Sequence, residues 1–474
     1  MVVSLWDEIQ GVDFGDKRLN QRLGLILDRL GQQPNHTIPA ATKSRAEMEA
    51  AYRFFDNDKV SPQRILQPHF DATRKRISQC DLVLLVQDTT EVDVTRPNQQ
   101  VDGAGPMECE TRRGGFLHPL AAFTIEGLPL GTVWQKTWTR DRIEKKLTPE
   151  EKKRKRNQTP IEEKESIRWI EGLRAARDVA SECSGTTCVC VCDSEGDIYE
   201  LFSEPREIEG PKDQVHLLVR ACQTRATNDQ SNWLRKVRST ECLYEATVDV
   251  SARKAKIAPK KQGKRSKSRS ARIAHVEVRA TTVCLRSPWR RDRKLPDVTM
   301  NVVLVEETNP PDGSDAVQWL LVTTLPVDTH EQVQEIVCAY CVRWQIEIFF
   351  RTIKSGCRIE RRLFEVFRRL HNCISVYMIV AWRIMYLCRL GRQCPDMNCE
   401  VVFEPCEWKA VYQVVSNGKL PDTPPTLNEM IRMIASLGGF IIRRKTNPGP
   451  QTLWLGLQRT HDLSTAWNTF RKEP

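Results

Sequence analysis

The chain has 474 residues, 72 Lys+Arg against 61 Asp+Glu and a formal net charge of +11. That length suggests about three domains with a large buried core, and 40% hydrophobic with 28% charged residues excludes a mostly disordered chain. Seventeen cysteines, an odd number, and an opening MVVSLWDEIQG without an apolar signal region argue against a secreted disulfide scaffold. They predict mostly reduced, buried thiols in a cytoplasmic protein, and the basic balance favours a polyanionic partner.

The first 60 or so residues read as helical and basic. Asp16-Lys17-Arg18 opens a helical period through Leu19, Leu23, Ile26 and Leu30, and a second helix runs through Arg45, Met48, Tyr52 and Phe55. Two short helices with outward arginines suit a small DNA-binding module and equally an ordinary helical hairpin. From Asp81 the texture changes. Leu82 to Val86 is an apolar run of strand length, and Phe116 to Trp138 reads as two strands broken at Glu126-Gly127-Leu128-Pro129. The charged stretch from Thr139 to Asn157 reads as a solvated excursion. A helix over Glu162 to Val179, a strand over Thr187 to Cys192, a helix from about Ile198 and a strand over His216 to Arg220 make the core α/β.

Residues 221–314 interrupt that rhythm with strand-like pieces around a basic tract. From Arg253 to Arg272 this tract holds ten Lys/Arg in twenty residues and no acid, which fits either a solvated loop or an arm on a phosphate backbone. Trp319 to Leu325 is a further strand, and a long helix is predicted from about His330 past Lys354. Cys373 to Leu390 is nearly long enough to span a membrane. Arg383 near its middle would cost about 2.5–3.5 kcal/mol there, so a helix buried in a soluble core is the better reading. The last 80 residues form a smaller helical region around Leu427 to Ile434, with a break at Gly438-Gly439.

Three carboxylates stand out. Asp88 and Asp193 each directly follow a buried strand, where α/β folds bind ligands, although such aspartates also commonly cap turns. The third, Glu347, lies on the long helix. There Tyr340, Arg343, Glu347, Arg351 and Lys354 fall within a stripe roughly 80° wide, opposite Val342, Ile346, Phe349 and Ile353. An outward face carrying an acid among cations and a phenol is either a row of helix ion pairs or a site for metal and phosphate.

Tyr340, Arg343, Glu347 and Lys354 spell Y-x2-R-x3-E-x6-K, which resembles the signature of DDE cut-and-paste transposases of the insertion-sequence-four type. Asp88-Thr89-Thr90 resembles that family's first catalytic block, and Cys192-Asp193-Ser194-Glu195-Gly196-Asp197 its second, usually C-D-R-E-A-D. Ala51-Tyr52-Arg53-Phe54 and Leu437-Gly438-Gly439-Phe440 extend the likeness over nearly the whole chain. Ser194 and Gly196 depart from the usual Arg and Ala.

The resemblance implies a ribonuclease H-like α/β core with a mostly β insertion. It further implies a helical DNA-binding domain over residues 1–62, a catalytic domain over 63–392 interrupted at about 221–315, and a C-terminal helical dimerisation domain over 393–474. Asp88, Asp193 and Glu347 would be the DDE triad holding two Mg²⁺ ions (Mn²⁺ may substitute), since three gathered carboxylates repel unless cations neutralise them. Such a centre would nick DNA, form and reopen hairpins at the element ends, and join them to target DNA. Tyr340, Arg343 and Lys354 would hold phosphates near the cut end, with Arg351 beside them, and Trp319 would stack on a flipped base. Arg220 would lie near the active site, while Arg22 and Arg53 would touch element-end DNA. The implied partners are double-stranded DNA ends, target DNA and a second copy of the chain, with no membrane.

Two rivals share these features: an inactive DNA-binding copy, and a Mg²⁺ nuclease of the same fold that cleaves without joining. The spacing of Cys338 and Cys341, and of Cys188, Cys190 and Cys192, lacks the second ligand pair that a structural zinc site needs.

Overall fold

Asp16 is an extended N-cap whose carboxylate accepts the Arg18 N–H at 2.9 Å, and helix α1 (Lys17–Gln32) follows with Leu23, Ile26, Leu27 and Leu30 buried along one side. After the short α2 (Ile38–Ala41), Ser44 and Ser61 cap α3 (Arg45–Asp56) and α4 (Pro62–Ile77) in the same manner. The computed structural model describes residues 5–109, 111–141, 148–204, 215–250, 252, 270–291, 293–312, 314–442 and 446–470. These divide into two units: residues 1–146, 181–186 and 344–474, and residues 147–180 and 187–343.

In the first unit, strands β1 (Leu82–Gln87), β2 (Thr90–Asp93), β3 (Gly105–Pro106), β4 (Arg113–Phe123) and β5 (Pro129–Trp138) pair antiparallel around β4. Gly114 faces both Asp93 and Gly105, so β1 and β2 run along one edge of β4 while β3 and β5 share the other. The apolar run in β1 is buried from Val83 onward, as a strand covered on both faces requires.

The second unit begins with α5 (Pro149–Gln158) and α6 (Ile167–Glu182), followed by β6 (Thr187–Cys192), the four-residue α7 (Tyr199–Phe202), β7 (Val215–Arg220) and α8 (Trp233–Arg238). Then come β8 (Tyr244–Val250), β9 (Arg272–Leu285), β10 (Val298–Glu307), β11 (Gln318–Thr323) and α9 (His330–Val342). The strand order is β6-β7-β11-β10-β9-β8, with β6 and β7 parallel and the other pairs antiparallel. Residues 221–315 therefore are β-rich, and β10 joins them to the sheet through β11. Of the basic tract at 253–272, residues 253–269 lie outside the described residues.

The first unit resumes with α10 (Trp344–Arg351), α11 (Phe367–Gln393), α12 (Pro405–Ser416), α13 (Leu427–Leu437) and α14 (Pro450–Phe470). The expected unbroken helix from 330 past 354 is corrected here. The Arg343 N–H bonds to the Tyr340 carbonyl at 3.1 Å, an i to i−3 bond that ends α9, and α10 runs into a π-turn over Thr352–Gly356 closed by Cys357 N–H to Thr352 O at 2.9 Å.

By length and composition α11 could cross a membrane, and 83% of its most apolar stretch is buried within the structure. Around its C-terminal half, Leu387, Trp408, Val411, Leu427, Met430, Ile434 and Leu453 form a core shared by α11 to α14. Helices α13 and α14 meet at glycine: a Cβ on Gly456 would lie 1.9 Å from the Ile434 carbonyl oxygen. Eight of the seventeen cysteines are buried and none is in a disulfide.

Candidate active site

Parallel pairing places Cys192 opposite Val219, so the ends of β6 and β7 bring Asp193 and Arg220 to one edge of the second unit. The Asp193 Oδ1 accepts the Glu195 N–H at 2.8 Å, which fixes the turn Ser194–Gly196. Burial pushes its carboxyl above the ordinary range, opposed by that N–H and by the positive fields of Arg343, Arg168 and Arg220. Arg168 reaches this turn from α6, its Nη2 pairing with Glu195 Oε2 at 2.6 Å. A guanidinium thus stands beside the second block although position 194 is a serine. The other departure, Gly196, has a steric cause: a Cβ there would lie 2.6 Å from Cys192 Cβ and 3.3 Å from the Trp169 ring.

Trp319 is half-buried near the start of β11, whose Leu321 pairs with Arg220. Its ring meets that of Tyr340 at 6.3 Å, and the Arg343 guanidinium lies 5.8 Å from the Tyr340 ring centre. Tyr340 and Arg343 are buried, at 2% and 5% exposure, so the expected outward stripe is corrected. Burial pushes the Tyr340 phenol up, with Arg343 and Arg220 acting against it. The second unit therefore assembles Asp193, Arg168, Arg220, Arg343, Tyr340 and Trp319.

In the first unit, Asp88 follows β1 and accepts the Thr89 N–H at 2.7 Å. Behind it, Thr89 Oγ1 bonds His118 Nδ1 at 2.8 Å and His118 Nε2 bonds Gln87 Oε1 at 3.0 Å, with Gln87 and His118 fully buried. With that amide oxygen as acceptor, His118 donates from Nε2, and the ring links the Thr89 hydroxyl to the Gln87 side chain. Glu347 is exposed on the first turn of α10. Within the π-turn, Lys354 Nζ lies 3.5 Å from Glu360 Oε1, which accepts the Asp93 N–H of β2 at 3.1 Å. Arg351 donates to Gln451 Oε1 at 2.6 Å, so its side chain reaches α14. Arg53 is exposed on α3 and Arg22 half-buried on α1.

Among the described residues, no group of three or more His, Cys, Asp or Glu side chains is gathered closely enough to hold a metal ion. Asp88 and Glu347 belong to the first unit and Asp193 to the second. By donor chemistry, carboxylate oxygens with a desolvated, cation-seeking member suit a hard divalent ion.

Two residues escaped sequence reasoning. Asp197 is buried and accepts N–H bonds from Cys222 and Gln223, each at 2.8 Å, and from Arg225 Nε at 2.8 Å. It ties the chain that leaves Arg220 to the turn carrying Asp193. His118 supports the Asp88 block in the other unit. Asp197 was visible as part of an acidic block, whereas nothing local marks His118.

Three family models match the chain in sequence: a transposase DNA-binding domain over residues 5–60, a transposase DDE domain over 203–382, and the Tn5 transposase dimerisation domain over 379–466. The DDE match covers Arg220, Trp319, Tyr340, Arg343, Glu347 and Lys354 but neither aspartate. A solved structure, the cryo-EM piggyBac transposase synaptic complex with hairpin DNA, is similar at TM-score 0.35 and 9% identity, over 85% of this chain and 76% of that one. A mixed α/β DDE domain flanked by DNA-binding and dimerisation domains supports a DDE transposase, an enzyme that cleaves and joins DNA.

Proposed function

We propose that this DDE transposase moves an insertion sequence by cut and paste, and that it is of the insertion-sequence-four type. Asp88, Asp193 and Glu347 are its carboxylate triad and hold divalent cations, Mg²⁺ by preference. When bound, such ions supply positive charge at the attacking and leaving oxygens of an in-line displacement. In nicking, a water oxygen attacks phosphorus and the P–O3′ bond breaks, leaving a 3′-hydroxyl and a 5′-phosphate. In hairpin formation and target joining, a DNA 3′-hydroxyl takes the place of water.

Arg343 and Arg220 hold phosphate oxygens next to Asp193, and Tyr340 supports Arg343 from behind. Lys354 serves the same phosphates from the Glu347 side, and Trp319 stacks on a base displaced from the strand, an interaction worth ~1–3 kcal/mol. Arg22 and Arg53 contact element ends, and two copies joined through the C-terminal domain act in one synaptic complex in the cytoplasm.

The observation that carries this reading is the cationic enclosure of Asp193 at a strand end, in a chain that matches DNA-binding, DDE and dimerisation models in order. The test is Glu347→Gln, incubated with Mg²⁺ and DNA bearing the element ends. Cleavage is expected to vanish while end binding in a gel shift stays nearly intact. Cleavage retained by that variant removes Glu347 from the triad.

A further inference from the structure

The sequence between β5 and α6 reads as a solvated excursion, yet it contains a well-specified helix. Thr148 and Glu151 close a capping box, with Glu151 N–H to Thr148 Oγ1 at 3.2 Å and Thr148 N–H to Glu151 Oε2 at 2.8 Å. Pro149 occupies the first turn, Glu150 and Glu151 face the positive end of the helix, and Lys155 and Arg156 lie in the last turn.

What α5 lacks is a reason to exist as packing. After Pro149 its sequence, EEKKRKRNQ, has no apolar residue, and Arg154, Lys155 and Arg156 are exposed. A helix this short is marginal in water unless something covers it. The sequence runs through five consecutive cations, Lys152 to Arg156, and Arg154, Lys155 and Arg156 alone turn through about 200° of the helix at about 100° per residue. No single flat partner meets all of them. A partner with two facing walls of negative charge does.

We infer that α5 is a second DNA-binding element, which lies in a groove of duplex DNA and contacts phosphates on both walls without reading sequence. The major groove, ≈ 12 Å wide, admits a helix, and α5 at 1.5 Å per residue is about 15 Å long. A membrane surface would demand an apolar face, which α5 does not have. The inference rests on the transposase reading and adds to it a contact outside the 5–60 DNA-binding match, suited to DNA of any sequence, such as the target.

The test is the full chain with Lys152, Lys153, Arg154, Lys155 and Arg156 all changed to Gln, titrated with a random-sequence duplex from about 50 to 200 mM salt. Affinity is expected to fall at least tenfold at the lower salt, and the log–log salt slope to become shallower by about 3, at roughly 0.9 per phosphate contact. Changing only the three lysines to Arg should leave both unchanged. An unaltered slope in the Gln variant overturns the inference, as does equal loss in the Arg variant. If the Gln variant melts early, Arg154→Gln with Arg156→Gln serves instead, with a slope change of about 1–2 expected and none overturning. Added polyglutamate that displaces the parent's DNA no better than matched salt supports the groove; selective displacement points to an acidic protein and overturns it. The assay reads binding alone, so failure of the transposase reading would show separately, as a parent chain that never cleaves element ends.

Discussion

Two desolvated acids of this protein, the buried Glu8 and the half-buried Asp193, are treated in opposite ways. Glu8 is 2% exposed and fully engaged: its carboxylate takes Arg76 Nη1 at 2.7 Å and Nη2 at 3.1 Å and His69 Nδ1 at 2.6 Å. Arg76 in turn stacks 4.4 Å over Trp382 and donates to the Leu130 carbonyl. Although burial acts to raise it, these partners hold the Glu8 carboxyl down to about 2. Asp193 has three arginines around it, yet burial prevails and its carboxyl is raised. An acid satisfied by direct pairing fastens the fold, here the start of the DNA-binding domain to α4. An acid desolvated among cations without such closure stays costly until a ligand cation arrives.

The contrast predicts opposite phenotypes. Asp193→Asn should reduce cleavage of element ends by roughly a thousandfold or more, about 4 kcal/mol of barrier, with thermal stability unchanged or slightly improved. A large drop in melting temperature with residual cleavage would break the comparison, since Asp193 would then be structural. Glu8→Ala should do the reverse. It leaves the half-buried Arg76 guanidinium and the buried His69 imidazole without their partner, a loss of about 3 kcal/mol in a denaturant titration. Any cleavage defect should follow the folded fraction. Equal stability of Glu8→Ala and the parent would show that the buried cluster holds nothing.

Much of this was legible where the signal is local. The apolar runs at Leu82 and Thr187 mark β1 and β6, and the aspartates after them, because a doubly covered strand needs nothing but consecutive buried side chains. The helix around Glu347 was legible only in part. Its apolar period continues through Val342, Ile346, Phe349 and Ile353, so periodicity cannot report the break at Arg343. The π-turn has tertiary and side-chain companions: Thr352 Oγ1 bonds the Ile348 carbonyl at 2.8 Å, and Gly356 lies so close to Trp454 that a Cβ would be 2.9 Å from its ring. Glu8 and His118 were illegible, and of Asp197 only its place in an acidic block could be read. Each acquires its role from partners brought by the fold, across 61 positions for Glu8 and His69.

The smallest effect expected is in acid, and it sharpens the account of Glu8. His69 Nε2 accepts the Thr132 N–H at 3.1 Å, so the buried ring is neutral and donates from Nδ1 to Glu8. Burial accordingly lowers the His69 pKa despite the neighbouring carboxylate. As pH falls below about 6.5 the unfolded chain takes up a proton here that the folded one refuses, so stability declines with falling pH. Glu8 contributes in full above its unfolded value near 4.5 and is lost as pH falls from there toward about 2. Each group adds at most about 1.4 kcal/mol per pH unit, giving a gentle loss from pH 6.5 to 4.5 and a steeper one below. In His69→Gln, where Nε2 can still donate to Glu8, the gentle limb should vanish while the steep one remains. A parent protein equally stable at pH 7 and 5 would mean that His69 is charged in the fold, and that the Glu8 cluster is an ion triad.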